Sequence, residues 1–232
     1  MANETRLYRI VRDALKTVSE QARHFQKYRR EFNAERRART HALIDFVGDI
    51  KLQMTAFSDC YIVSDVRPAW HVLAAVQALG SRFLEEGMLT RGGVVLGLAH
   101  HSGSVVFGPA VIEAYRLESE VAKYPRILVA DEVRQAAWGY HEGLCRGRLF
   151  TQDSDGCWFV NVIFPPLSDW EALSIPKAEK DLRSHLRKIR KTLLKLLDET
   201  GTDIKHRSNV RWLINQFNIV ARTADAEPID RE

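Results

Sequence analysis

The sequence predicts an α+β fold, and three features carry that expectation. Apolar residues recur at three- and four-residue steps near both ends of the chain, as on one face of a helix. Runs rich in β-branched and aromatic residues come as close pairs around short turn sequences. The order along the chain is helix, hairpin, helix, hairpin, helix, strand, helix, strand, helices, which describes antiparallel strands beside helices and not a doubly wound parallel sheet.

From Thr5 to about Phe25, the residues Leu7, Ile10, Val11, Leu15, Val18 and Phe25 mark a long N-terminal helix. The basic stretch after it, "QKYRREFNAERRARTHA", reads as a solvated helix surface or a helix–helix connection, with phosphate contact as the alternative. In "IKLQMTAFSDCYIVSD" (Ile50–Asp65), two β-rich runs flank Ser58-Asp59 and form a hairpin whose tip carries a carboxylate. "PAWHVLAAVQALGSRFLEEGM" has helical spacing and ends near Gly87. "LTRGGVVLGLAHHSGSVVFGP" reads as a second hairpin turning at Ser102-Gly103. Pro109 suits the first turn of a helix that runs from Ala110 to Lys123 and stops before Pro125. "RILVAD" is a strand, "EVRQAAWGYHEGL" a short helix, and "CWFVNVIFPP" a last strand ended by two prolines. Beyond Asp169 the pattern is helical to Val220, and "TADAEPIDRE" reads as a frayed tail.

With 232 residues, 45% of them hydrophobic, the chain can bury a core of its own. It has no apolar run long enough for a membrane span, and its start lacks the apolar region of a signal peptide, so a cytoplasmic protein is expected. Cys60, Cys145 and Cys157 are odd in number and widely spaced, which fits neither a disulfide framework nor a CxxC metal site. The net charge of +4 is unevenly spread. Residues 1–41 hold 11 Lys/Arg against 5 Asp/Glu, and residues 177–211 repeat those numbers, so the rest of the chain is acidic. An acidic centre argues against a nucleic-acid groove there and suits a divalent metal.

Gly92, Gly93, Gly97, Gly103 and Gly108 crowd the second strand pair, as though something approaches the backbone closely. Phosphate loops do not explain them: GxxxxGK[ST] is absent, and "GGVVLG" lacks GxGxxG spacing. His100 and His101 are neighbours on a strand, point to opposite faces and have no third ligand at useful spacing for zinc. No GxSxG elbow is present. Asp59 reads either as a turn former or as a metal ligand. Glu113, Arg116 and Glu120, at i, i+3 and i+7, form either a surface salt-bridge ladder or, beside the free N–H groups of a helix opening on "FGPA", part of a phosphate site.

In order, "FSD", "RGGVVLG" and "VVFGPAVIEAYRLESEVAKYPRI" resemble the pyrimidine nucleotide cyclases of Pycsar anti-phage systems, a branch of the class III nucleotidyl cyclases. The resemblance covers roughly Ile50 to Ile127 and extends weakly to "VRWLINQFN". It implies a class III cyclase-like antiparallel sheet with flanking helices and a C-terminal helical extension, in segments 1–49, 50–166 and 167–232. The activity it implies is conversion of UTP, or in second place CTP, to the 3′,5′-cyclic nucleotide and pyrophosphate, with Mn²⁺ or Mg²⁺ as cofactor. The product would be an antiviral second messenger that activates a separate effector. Carried over residue by residue, Asp59 is a metal ligand and Arg116 the catalytic arginine of the transition state; Arg91, at the mouth of "RGGV", is the candidate for nucleotide binding. A homodimer is implied, with metal ligands from one subunit and the arginine from the other. The chain departs from the pattern twice. Ile112 stands where class III cyclases carry asparagine, and no opening strand supplies the first metal aspartate. Asp45, only 14 residues before Asp59, or Asp13 would have to take that place. The alternative reading is a non-catalytic cyclase-like nucleotide-binding or interaction module.

Overall fold

The computed structural model describes residues 8–10, 12–14, 16, 20, 52–57, 59–66, 69–138, 149–164 and 175–230. The described residues between Tyr8 and Glu20 are helical, as their spacing predicts; the basic stretch after Phe25, together with Asp45 and Cys145, lies outside the described residues. The protein is an α+β molecule of helices and mostly antiparallel strands.

Strands β1 (Gln53–Phe57) and β2 (Cys60–Ser64) pair antiparallel with Phe57 opposite Cys60, which puts Asp59 in the turn between them as expected. Alternation then sorts the side chains: Met54, Tyr61 and Val63 pack inward, on the cluster of Ala75, Ala78, Leu79 and Phe83. Those four residues belong to helix α1 (Ala69–Glu85), whose opposite flank, with Leu73, Val76 and Leu84, enters the main core. A helix lying between a hairpin and a sheet is buried on both sides, and residues 75–81 are all buried. One of them, Gln77, donates from its amide nitrogen to the Asn161 carbonyl at 2.9 Å. Gly87, at φ +81°, ends α1: Met88 N–H donates to the Phe83 carbonyl and Gly87 N–H to that of Leu84, the paired bonds of a Schellman cap.

The central sheet has the order β3-β6-β8-β7, built from β3 (Gly92–Val94), β6 (Ile127–Val129), β7 (Phe150–Gln152) and β8 (Trp158–Val160). Here the structure corrects the expected second hairpin. Gly92–Val94 does not turn back on "VVF" but runs parallel to β6, with Val94 buried in the main core. The hairpin is confined to β4 (His100–Ser102) and β5 (Val105–Phe107). Its turn is Gly103-Ser104, one residue later than expected, because Gly103 takes the positive φ of +57° at the first central position. β7, which the sequence does not announce, is three residues long and pairs with β8 by Phe150↔Val160.

Helix α2 (Pro109–Arg116) follows β5 and passes into a π-helical turn, Leu117–Val121, closed by Ala122 N–H donating to the Leu117 carbonyl at 2.9 Å. Helix α3 spans Asp131–Trp138. The C-terminal helices α4 (Ile175–Glu199) and α5 (Ile204–Thr223) bury Leu186, Ile189, Leu193, Leu213 and Phe217 in the same core as the sheet residues Phe150 and Phe159, so one core crosses residue 166. The expected fraying of the tail does not extend to Ile229. Asn218 brackets Ile229 with two hydrogen bonds, 3.0 Å to its carbonyl and 2.8 Å from its N–H, and Ile229 is buried. Among the described residues no helix is long and apolar enough to cross a membrane.

At four of the five glycines the chain's own packing approaches the backbone closely. A Cβ at Gly93 would stand 2.7 Å from the Ala114 carbonyl oxygen and 2.8 Å from Leu117 Cβ, one at Gly97 3.2 Å from Ala110 Cβ, and one at Gly108 2.8 Å from the Leu98 carbonyl oxygen. At Gly92 the neighbour is the Ile127 side chain, at 3.3 Å. These contacts press α2 onto β3 and the 95–99 segment. Gly93→Ala should therefore force β3 and α2 apart and cost roughly 1–3 kcal/mol. Calorimetric unfolding measures it, and an unchanged Tm would show that the strand and helix move apart freely.

Candidate active site

The outer face of the β1–β2 hairpin carries Thr55, Cys60 and Ser64, and the β4–β5 hairpin docks on that face through His101. Thr55 Oγ1 lies 2.9 Å from His101 Nε2 and 2.6 Å from the Gly103 carbonyl oxygen. A carbonyl only accepts, so the Thr55 hydroxyl proton goes to Gly103, and Thr55 must accept from Nε2–H. That leaves Nδ1 without a proton, and it accepts from the Ser64 hydroxyl at 2.7 Å. Burial first, and the neighbouring His100 second, push the His101 imidazole below its ordinary value, in keeping with this neutral form. Both ring nitrogens serve the seam between the hairpins. His100 lies on the opposite strand face, stacked on Phe107 with centroids 4.9 Å apart.

Asp59 sits at the exposed tip of the first hairpin and makes no hydrogen bond or ion pair with another described residue. The tip lies near the π-helical turn. Protein mass beside the Cys60 thiol raises it above its ordinary value, and the charges of Asp59 and then Glu118 raise it further. Glu118 is in turn paired with Arg91 at 2.9 Å, so the candidate nucleotide-binding arginine is anchored to the π-helical turn. Neither Glu118 nor the π-helical turn that presents it was legible as part of the site, because a π-helical turn has no sequence spacing of its own.

Arg116 is exposed and forks onto Glu113, with Nε–Oε2 2.8 Å and Nη2–Oε1 2.7 Å; Glu120 stands 3.9 Å away. This is the i, i+3, i+7 ladder that the spacing allows. The hydrogen bond from Arg116 holds the Glu113 carboxyl below its usual range. The same pairing raises the guanidinium.

Beside this ladder lies an apolar surface. Leu96, Leu98, Val105, Phe107, Ile112 and Tyr115 are each more than half exposed. They sit on the 95–99 segment, β5 and α2, which are tied together where Ala110 N–H donates to the Leu98 carbonyl at 3.1 Å. Exposed apolar side chains grouped on neighbouring elements are a feature of surfaces that another protein covers.

Asp13, an alternative first aspartate, pairs with its neighbour Arg12 at 2.8 Å. Among the described residues no group of three or more His, Cys, Asp or Glu is placed to hold a metal ion. A hard divalent cation needs less from the protein when a triphosphate is its co-ligand: one or two carboxylates with phosphate oxygens and water suffice. Asp59 offers one exposed carboxylate. No protein-family model, no curated protein and no solved structure matches this chain.

Proposed function

We propose that this chain is a pyrimidine nucleotide cyclase of the class III type, forming a 3′,5′-cyclic nucleotide from UTP, or from CTP, in a site shared between two copies of the chain. The observation that carries the reading is the apolar surface next to Arg116, together with a carboxylate at the hairpin tip that has no partner among the described residues. A second copy covering Leu98, Phe107, Ile112 and Tyr115 would bring Arg116 of one subunit toward the triphosphate held at Asp59 of the other.

In this reading Asp59 would hold Mn²⁺ or Mg²⁺ together with the triphosphate. The bound ion supplies charge neutralisation at the phosphates and a lowered pKa for the attacking 3′-hydroxyl. Arg116 exchanges Glu113 for the α-phosphate, where the planar guanidinium fork matches the charge on the equatorial oxygens as the ribose oxygen enters and pyrophosphate leaves. Arg91, anchored by Glu118, would face the nucleotide from the mouth of β3. The cyclic product would activate a separate effector.

Incubating the purified chain with Mn²⁺ and each of the four ribonucleoside triphosphates tests the activity. Cyclic UMP or cyclic CMP with stoichiometric pyrophosphate is the expected result. A second reading, a nucleotide-binding module without catalysis, is favoured by the bidentate hold of Glu113 on Arg116 and by the absence of a three-ligand cluster among the described residues. Triphosphate binding with no cyclic product from any of the four would select it. The shared site makes a separate prediction: Asp59→Asn and Arg116→Ala proteins, each inactive alone, should regain up to about a quarter of wild-type activity when mixed, since half the dimers are mixed and each of those has one of its two sites intact. No recovery after subunit exchange would exclude a site built across two copies.

A further inference from the structure

An open cavity of about 310 Å³ lies between the first turns of α5 and the loop before β6, and none of its residues belongs to the hairpin-tip site. Its aromatic wall is Tyr124 on Trp212, stacked with centroids 5.5 Å apart and ring planes within 4°. Trp212 is fixed from behind: its Nε1–H donates to Asp153 at 2.9 Å, and Phe159 meets it edge-on at 5.3 Å. Arg207, Ser208, Arg211 and Asn215 line the cavity from α5. Arg207 and Arg211 are four residues apart, hence one turn and about 6 Å along the axis. Arg207 donates to the Thr200 hydroxyl and the Gly201 carbonyl, which orients its guanidinium without neutralising it. Arg211 makes no ion pair or hydrogen bond with another described residue, and no carboxylate lines the cavity. Two arginines therefore line one small space, with no counter-charge there among the described residues.

A single carboxylate ligand would satisfy one of these forks. A phosphate monoester, with close to two charges and three acceptor oxygens, can accept from both. The flat aromatic wall suits a planar ring, and the Ser208 hydroxyl and Asn215 amide offer hydrogen bonds to a ring's polar edge. The volume is at the small end of ligand sites, which suits a mononucleotide-sized molecule. We propose that this cavity binds an organic phosphate monoester bearing a planar ring, its phosphate between Arg207 and Arg211 and its ring against the Tyr124–Trp212 wall.

Titration calorimetry of the full chain with UMP, ribose 5-phosphate and inorganic phosphate tests this. UMP should bind, ribose 5-phosphate should bind about tenfold more weakly for want of the ring, and inorganic phosphate more weakly still. Arg211→Gln, at an exposed position without a partner among the described residues, should keep the fold and weaken UMP about tenfold. Arg222→Gln, on the same helix but outside the cavity, should change nothing. Asp59→Asn should also leave UMP affinity unchanged, which separates this site from the proposed catalytic one. No heat with UMP at millimolar concentration, or equal UMP affinity in wild type and Arg211→Gln, would overturn the proposal. Inorganic phosphate binding as tightly as UMP would remove the ring from it. Much tighter, steeply salt-dependent binding of a single-stranded oligonucleotide would replace it with a nucleic-acid surface.

Discussion

Asp59→Asn should abolish cyclic-nucleotide formation, lowering the rate by about 10²–10³-fold, while the protein stays folded. The size follows from losing several kcal/mol of charge stabilisation at the phosphates, each 1.4 kcal/mol being about tenfold in rate. The fold should be indifferent because Asp59 is exposed and supports no other described side chain, and surface changes of that kind stay within about 0.5 kcal/mol. Product assays at saturating Mn²⁺ and a thermal melt are the two measurements. A near-normal rate would reduce Asp59 to a turn former and remove the metal role; a large fall in Tm would mean that the hairpin tip is structural.

Arg126→Met should cause the largest loss of stability, about 3–5 kcal/mol. The Arg126 side chain has no solvent exposure and donates to Asp153 at 2.6 Å and to Asp155 at 3.0 Å. Asp153 accepts from Trp212 as well, so one cluster ties the strand before α3, the β7–β8 turn and α5 together. Removing the cation leaves Asp153 with its charge buried and unpaired, which costs far more than the net value of the pair. For a chain of this size the Tm should fall by roughly 10 °C. Adding Asp153→Asn and Asp155→Asn to Arg126→Met should recover part of that loss in urea unfolding; no recovery would mean that the penalty comes from a cavity and not from charge.

The same cluster sets an acid limb. The hydrogen bond from Arg126 outweighs burial and lowers the Asp155 carboxyl from 3.8 to about 2. A carboxyl held low in the folded state stabilises fully above its unfolded value, and that contribution fades as pH falls from about 4 toward 2. Glu85 behaves alike. Burial would raise its carboxyl, but His185 at 3.1 Å and Lys188 at 2.6 Å override that and hold it at about 2, pinning α1 to α4. The acid limb of the wild-type stability curve should be shallower in Arg126→Met, which lacks the Asp155 share.

The hairpin at Ser58-Asp59, the helix opening at Pro109 and the Glu113–Arg116–Glu120 ladder were all legible, since each depends on preferences that act within a few residues. The departure of β3 was not. "RGGVV" has the same local character whether it turns back on "VVF" or runs beside "ILV", and the choice rests on burying Val94 in a core shared with residues far along the chain. The "TADAEPIDRE" tail misled for a similar reason: its polarity suits disorder, but Asn218 and a pocket for Ile229 hold it.

Alternation and helical spacing thus sufficed for the class of fold, for most element positions and for where a carboxylate and an arginine would stand on their own elements. Which groups meet was settled by packing over long separations. His101 reaches Thr55 across 46 residues and Ser64 across 37, Arg126 reaches its two acids across 27 and 29, and Trp212 meets Asp153 across 59. Local preference has no access to such pairs, because they form only when apolar burial has brought the elements together and each desolvated polar group must then find a partner.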